Sequence, residues 1–200
     1  MKKADAVGPV SNGGAEAIGF SAPYETKVEI EGTAPLLFHA WNVEAVREKA
    51  GAAKGSRAKK EDNVESYVYR NTQNHICLPG EYFRQSIIQA ARYIQDPRSP
   101  RKSAMDLFKA GIIVLTDLAS LGTEKWDMLD QRRVTIQRNG VTRIRPAMLP
   151  GWRTSFELEV ILPEYISREV LNAAAQSAGR LVGVGDFRPT YGRYQVISFG

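Results

Sequence analysis

Gly183-Val184-Gly185-Asp186-Phe187-Arg188-Pro189-Thr190-Tyr191-Gly192-Arg193-Tyr194-Gln195-Val196 is the stretch that decides how this chain folds. Before it, Val170, Leu171, Ala174 and Ala178 recur at helical spacing, and Ser167 stands where a helix cap belongs. After it, Tyr194 to Phe199 alternates as a strand does. Three glycines, two arginines and three aromatic rings therefore occupy a helix-to-strand junction. Gly183, Gly185 and Gly192 permit positive φ and close backbone approach. Arginines and rings are the groups that hold phosphates and bases. The pattern Gly183-x-Gly185-x-x-Arg188 is not a dinucleotide fingerprint, because it follows a helix instead of a strand. No P-loop sequence is present.

Outward from this junction the chain reads as alternating elements. Val28 and Ile30 alternate with charged residues over Tyr24 to Glu31, a half-buried strand closed by Gly32. Pro79-Gly80 opens a helix over Gly80 to Gln95, with Phe83, Ile87, Ala91 and Ile94 on one face and Pro97 beyond its end. Arg84 and Arg92 lie on an adjoining stripe. Ile112 to Leu115 is a short strand, and Phe156 to Ile161 another. Arg132 to Arg138, Asn139-Gly140 and Val141 to Ala147 form a hairpin, with Asn-Gly favouring a type I′ turn. Trp41 to Lys49 suits a helix, and residues 51–62 a basic loop. With the insertions removed, the order is β-α-β-β-α-β. The expected fold is α+β, a ferredoxin-like (RRM-type) core with a large insertion and a protruding basic hairpin. Residues 1–22 are expected to form a flexible arm. Residues 23–200 would form a single domain with insertions near 40–75 and 120–150.

Two hundred residues with 43% hydrophobic content suffice for a core without disulfides or metal. The single cysteine, Cys77, sits in an apolar run and reads as a buried residue of a reducing compartment. No apolar run reaches membrane-spanning length and no secretory h-region opens the chain, so a cytoplasmic protein with no membrane partner is expected.

Net charge is +5, but its distribution says more. From Gln131 to Arg153 the chain carries Arg132, Arg133, Arg138, Arg143, Arg145 and Arg153 without one acid. From Gly51 to Lys60 it carries Lys54, Arg57, Lys59 and Lys60, again without an acid. Such segregation is the electrostatic footprint of a nucleic-acid binder. Arg188 and Arg193 join these as candidates to face a phosphate or a neighbouring subunit. Phe187 and Tyr191 are candidates to stack on bases or to pack against the next copy.

The loop Gly-Val-Gly-Asp-Phe-Arg-Pro-Thr-Tyr-Gly-Arg-Tyr resembles the C-terminal glycine-rich loop of the RAMP superfamily, the ferredoxin-like RNA-binding proteins of CRISPR effector complexes. Ile76-Cys77-Leu78-Pro79-Gly80-Glu81-Tyr82-Phe83-Arg84-Gln85-Ser86-Ile87-Ile88-Gln89-Ala90-Ala91-Arg92 is similar to that family's first core helix, and Val28 to Leu36 to its opening strand. The match is nearest to the guide-binding backbone subunits and their phage-encoded relatives. The resemblance implies a glycine loop at Gly183, Gly185 and Gly192 and a basic helix face at Arg84 and Arg92. It also implies copies stacking along single-stranded RNA, or ssDNA, with a hairpin reaching the neighbour and other CRISPR effector subunits as partners. The cleaving members carry an aspartate in the loop after the first strand, whereas Thr33 to Asn42 contains no acid.

The expected function is thus sequence-independent binding of single-stranded nucleic acid in antiviral defence, as a filament-forming subunit without cofactor, metal or catalytic residue. One alternative is a phage-type structural assembly protein whose hairpin meets acidic surfaces. The other is a metal-independent endoribonuclease of the same superfamily, for which His39 and His75 are the two histidines at hand.

Overall fold

A computed structural model describes residues 21–41, 43, 47, 51, 63–136 and 139–200, and for 134–136 and 139–141 the backbone alone. The expected arm over 1–20, the body of the helix at Trp41 to Lys49, the basic loop with Lys54, Arg57, Lys59 and Lys60, and Arg138 lie outside the described residues. What is described is mixed α and β, with three small antiparallel sheets.

The largest sheet has the order β10-β1-β9-β5, every neighbour antiparallel. Its strands are β1 (Tyr24–Gly32), β5 (Ile112–Val114), β9 (Arg153–Val160) and β10 (Tyr194–Phe199). Helix α1 (Gly80–Ala90) falls between β1 and β5 in the chain, and α3 (Arg168–Leu181) between β9 and β10. Alternation decides which way each strand faces. In β1, Thr26, Val28 and Ile30 are buried, and in β9 Thr154, Phe156, Leu158 and Val160. Both helices cover that face: Phe83 of α1 stacks on Phe156 at 4.4 Å between ring centroids, and Leu171, Ala174, Ala175 and Ala178 of α3 are buried in the same core. Each fully buried large side chain contributes about 1.5–3 kcal/mol.

The opposite positions of this sheet are charged. Glu25, Lys27, Glu29 and Glu31 on β1 lie beside Arg153, Ser155, Glu157 and Glu159 on β9, with Glu25 paired to Glu159 and Lys27 to Glu157. The two cations are already taken, Lys27 by Glu29 and Arg153 by Glu31. None of these positions carries an aromatic ring. This face is acidic, and it lacks the rings on which an RRM-type sheet stacks bases.

Two smaller sheets are built from the segments between the core elements. One joins β2 (Leu36–Leu37), β8 (Asn139–Met148) and β7 (Met128–Ile136), in that order; the other joins β3 (Tyr69–Arg70), β4 (Ile76–Pro79) and β6 (Leu118–Ser120). A short helix, α2 (Met105–Gly111), precedes β5. Ser167 Oγ accepts a bond from Val170 N at 3.3 Å, as its place before α3 requires. Among the described residues no helix is long and apolar enough to cross a membrane.

Two expectations are corrected. Helix α1 stops at Ala90 and tightens into a 3-10 turn over Ala91–Tyr93, instead of running to Gln95. Ile94 is already extended, and the chain from there pairs with the segment before α2: Ala104 donates to Ile94 O and Gln95 bridges to Ser103. The hairpin is present, but Asn139-Gly140 does not form its turn: Asn139 pairs with Ile136 and Gly140 with Thr135, so both already belong to the second strand. The register of the whole hairpin, from Met128 opposite Ala147 to Ile136 opposite Asn139, overrides the local preference of Asn-Gly.

Candidate functional site

The segment between α3 and β10 is a compact loop folded on itself. Gly183, Gly185 and Gly192 have φ of +74°, +76° and +70°, Phe187 has φ of +53°, and the Arg188-Pro189 bond is cis. Val182 and Gly183 both donate to Ala178 O, which closes the helix end. Val184 donates to Gly192 O at 2.9 Å, Gly192 to Pro35 O at 2.8 Å and Asp186 to Leu37 O at 3.1 Å. A Cβ on Gly192 would lie 1.7 Å from Val184 O, so only glycine lets the loop's two limbs meet. Ser86 of α1 donates to Gly183 O at 2.9 Å and fixes the loop to the helix layer. The amides of Gly183, Val184, Asp186, Phe187, Tyr191 and Gly192 are therefore spent within the protein. Those six amides are closed to an anion, and the loop presents its arginine and aromatic side chains beside them.

Against it lies the base of the hairpin. Arg132 forms a two-pronged pair with Asp130 at 2.5 Å, donates to Tyr191 Oη at 2.6 Å, and has its guanidinium 4.7 Å from the ring centres of both Phe187 and Tyr191. Asp130 and Tyr191 together push its guanidinium pKa upward, Asp130 most strongly. Arg145 is nine-tenths buried, 4.8 Å from the Phe187 ring centre and 2.5 Å from Asp186 Oδ2. That contact has ion-pair distance without hydrogen-bond geometry, so Arg145 Nε and Nη1 lack an acceptor, as does the buried Nε of Arg143. Phe187 is thus clasped by two guanidiniums from the hairpin, a cation–π arrangement worth about 0.5–2 kcal/mol per contact.

The remaining arginines separate into engaged and unpaired. Arg84 donates to Ile112 O, Lys109 O and Glu81, clamping the end of α2. It does not share a face with Arg92, because the 3-10 turn carries Arg92 towards the loop. Arg153 is held by Glu31. Arg92 and Arg188, both exposed, make no ion pair with a described residue and line one cleft of about 380 Å³ with Gln89, Tyr93 and Phe187. The carboxylate in that lining, Asp186, is the one held by Arg145. Burial pushes the Tyr82 hydroxyl up to about 12, and the charge of Arg188 acts against that rise. Arg193 lines a second cleft together with Arg180, on the far side of the α3 C-terminus. Arg133 is exposed on β7 and makes no ion pair with a described residue.

Sequence reasoning missed Asp130, Asp186, Arg180 and Tyr93. Asp130 stands one residue outside the acid-free segment, and counting within a segment cannot find an acid that folds back from elsewhere. Arg180 was visible as a cation in the last turn of a helix that ends on glycine. His39 contacts Asp186 at 3.9 Å and the Tyr67 ring at 5.3 Å, and His75 Nδ1 lies 3.4 Å from Ser120 Oγ. Cys77 is buried, and burial raises its thiol pKa. Among the described residues no group of three His, Cys, Asp or Glu is placed to hold a metal ion. No protein-family model matches this chain, and none of the curated proteins is similar to it.

Proposed function

We propose that this chain is a single-stranded nucleic-acid-binding subunit, with RNA as the first candidate, that holds the sugar-phosphate backbone on its glycine-loop side. The observation that carries the reading is the convergence of Arg92 and Arg188 on one cleft, unpaired, beside the exposed ring of Tyr93. Guanidiniums next to rings grip phosphates and stack bases with little regard to sequence. The strand order β10-β1-β9-β5, with α1 and α3 as its crossovers, supports the ferredoxin-like reading and with it the resemblance to RAMP proteins. The acidic outer face of the sheet turns the polyanion away from the surface an RRM would use, so the loop side takes that role. On this reading Arg132 and Arg145 hold the hairpin to the loop, with Arg143 opposite Arg132 and Arg133 one position nearer the tip. Copies then sit side by side on the strand.

The test is fluorescence anisotropy of a labelled oligouridine at rising salt, in wild type and in Arg92→Glu/Arg188→Glu. Affinity should fall steeply with salt, and the double variant should bind at least about tenfold more weakly with a salt slope shallower by about two. Binding indifferent to salt, or unchanged by the double variant, overturns the reading.

A further inference from the structure

The second cleft, about 650 Å³ in volume, lies between α3 and the edge strand β10. Ala173, Gln176, Ser177 and Arg180 form its helical wall, recurring three and four residues apart, and Arg193 to Val196 form the other. Arg180 and Arg193 are exposed, and neither makes an ion pair with a described residue.

The strand wall offers main chain as well as side chains. Lys27 exchanges backbone bonds with Gly200 in both directions, and Thr33 donates to Arg193 O, whereas Gly32 donates to Trp152 O on the other side. The odd-numbered residues of β1 thus pair with β10. Alternation then turns the main-chain groups of Tyr194 and Val196 away from β1. Tyr194 O is covered by α3, since a Cβ on Gly179 would stand 2.2 Å from it. The groups of Val196 open towards the cleft. Among the described residues nothing pairs with that edge.

We infer that this cleft receives an extended acidic peptide segment of a partner protein, added as a short strand beside Val196 with its carboxylates on Arg180 and Arg193. Three features favour a peptide over a nucleic-acid strand. A free strand edge pairs with peptide backbone and not with sugar-phosphate. The cleft exposes no ring for a base, because its one aromatic, Tyr194, is 2% exposed. Its walls mix Ala173 and Val196 with amide and hydroxyl groups, which suits alternating side chains. The irregularity in pairing between Glu29 and Ile30 breaks the strand's regular edge beyond Val196, so the added strand is short and the two arginines supply much of the grip.

The experiment is selection from a displayed library of short random peptides on the immobilised protein. Synthetic versions of the winners are then titrated against wild type and Arg180→Glu/Arg193→Glu. Winners should be rich in Asp and Glu and poor in proline, should lose at least about tenfold in affinity in the double variant, and should slow hydrogen exchange at 194–199. Winners without acidic bias, winners that bind the variant as well as wild type, or no protection of β10 each overturn the inference. So does recovery of no peptide, and so does a loss of oligouridine binding in Arg180→Glu/Arg193→Glu, which would assign the cleft to the nucleic-acid strand. Failure here leaves the Arg92 and Arg188 measurement standing, because the two arginine pairs belong to different clefts.

Discussion

Gly192 combines two demands in one residue, a left-handed backbone and a carbonyl where a side chain would start. Gly151 meets the first alone: its φ is +98°, yet nothing lies within 4 Å of a Cβ built there. Gly151→Ala should therefore cost about 1–2 kcal/mol and Gly192→Ala at least about 4 kcal/mol, both measured by urea unfolding. Arg145 is held on one side by a carboxylate and on the other by a ring. Removing it strands Asp186 beside a buried surface, so Arg145→Ala should cost about 3 kcal/mol, and Arg145→Ala/Asp186→Asn less than the sum of the single changes. Additive costs in that cycle would mean the pair contributes nothing. The acid-free, arginine-rich segment that reads from sequence as a nucleic-acid footprint is, residue by residue, divided in this way. Arg132, Arg145 and Arg153 are committed to Asp130, Asp186 and Glu31, and Arg133 pairs with no described residue.

At the scale of elements, the parts legible in the sequence are those governed by local periodicity. Strands β1, β9 and β10 and helix α3 stand within a few residues of where alternation and the Ser167 cap place them. The cap itself is worth about 1 kcal/mol, and Ser167→Ala should lower stability by that amount while Ser167→Asp should not, as followed by thermal unfolding. What local periodicity could not give is pairing between distant segments. Leu36 and Leu37 form a strand only because Met148 and Ala147 are brought beside them. The hairpin's turn was misplaced because Asn-Gly is a two-residue signal, whereas register is settled along the whole length of both strands. The two clefts were illegible as well, since the first joins the end of α1 to the glycine loop and the second depends on how α3 packs beside β10.

For the whole molecule, three tyrosines couple stability to alkaline pH. Burial pushes Tyr24 and Tyr82 up to about 12 and raises Tyr194 as well. A phenol whose pKa is raised by folding contributes stability that is complete below its unfolded value of 10.0 and is lost as pH rises through the folded one. Stability should hold to about pH 10 and then fall towards pH 12, with tyrosinate absorbance appearing together with loss of the far-ultraviolet signal. Tyrosinate formed well below that point, in protein still folded, would contradict the burial of these hydroxyls.

The acidic face of the main sheet has a kinetic consequence. Carboxylates of Glu25, Glu29, Glu31, Glu157 and Glu159 gathered on one side, with unpaired guanidiniums around the loop, give the molecule an electric dipole moment. In the field of a polyanion such a body feels a torque before it feels a contact, and it turns its loop towards the approaching charge. Diffusive encounters are then sorted by orientation. Collisions on the sheet side rebound, and those on the loop side arrive already aligned, an advantage that disappears as salt shortens the reach of the field.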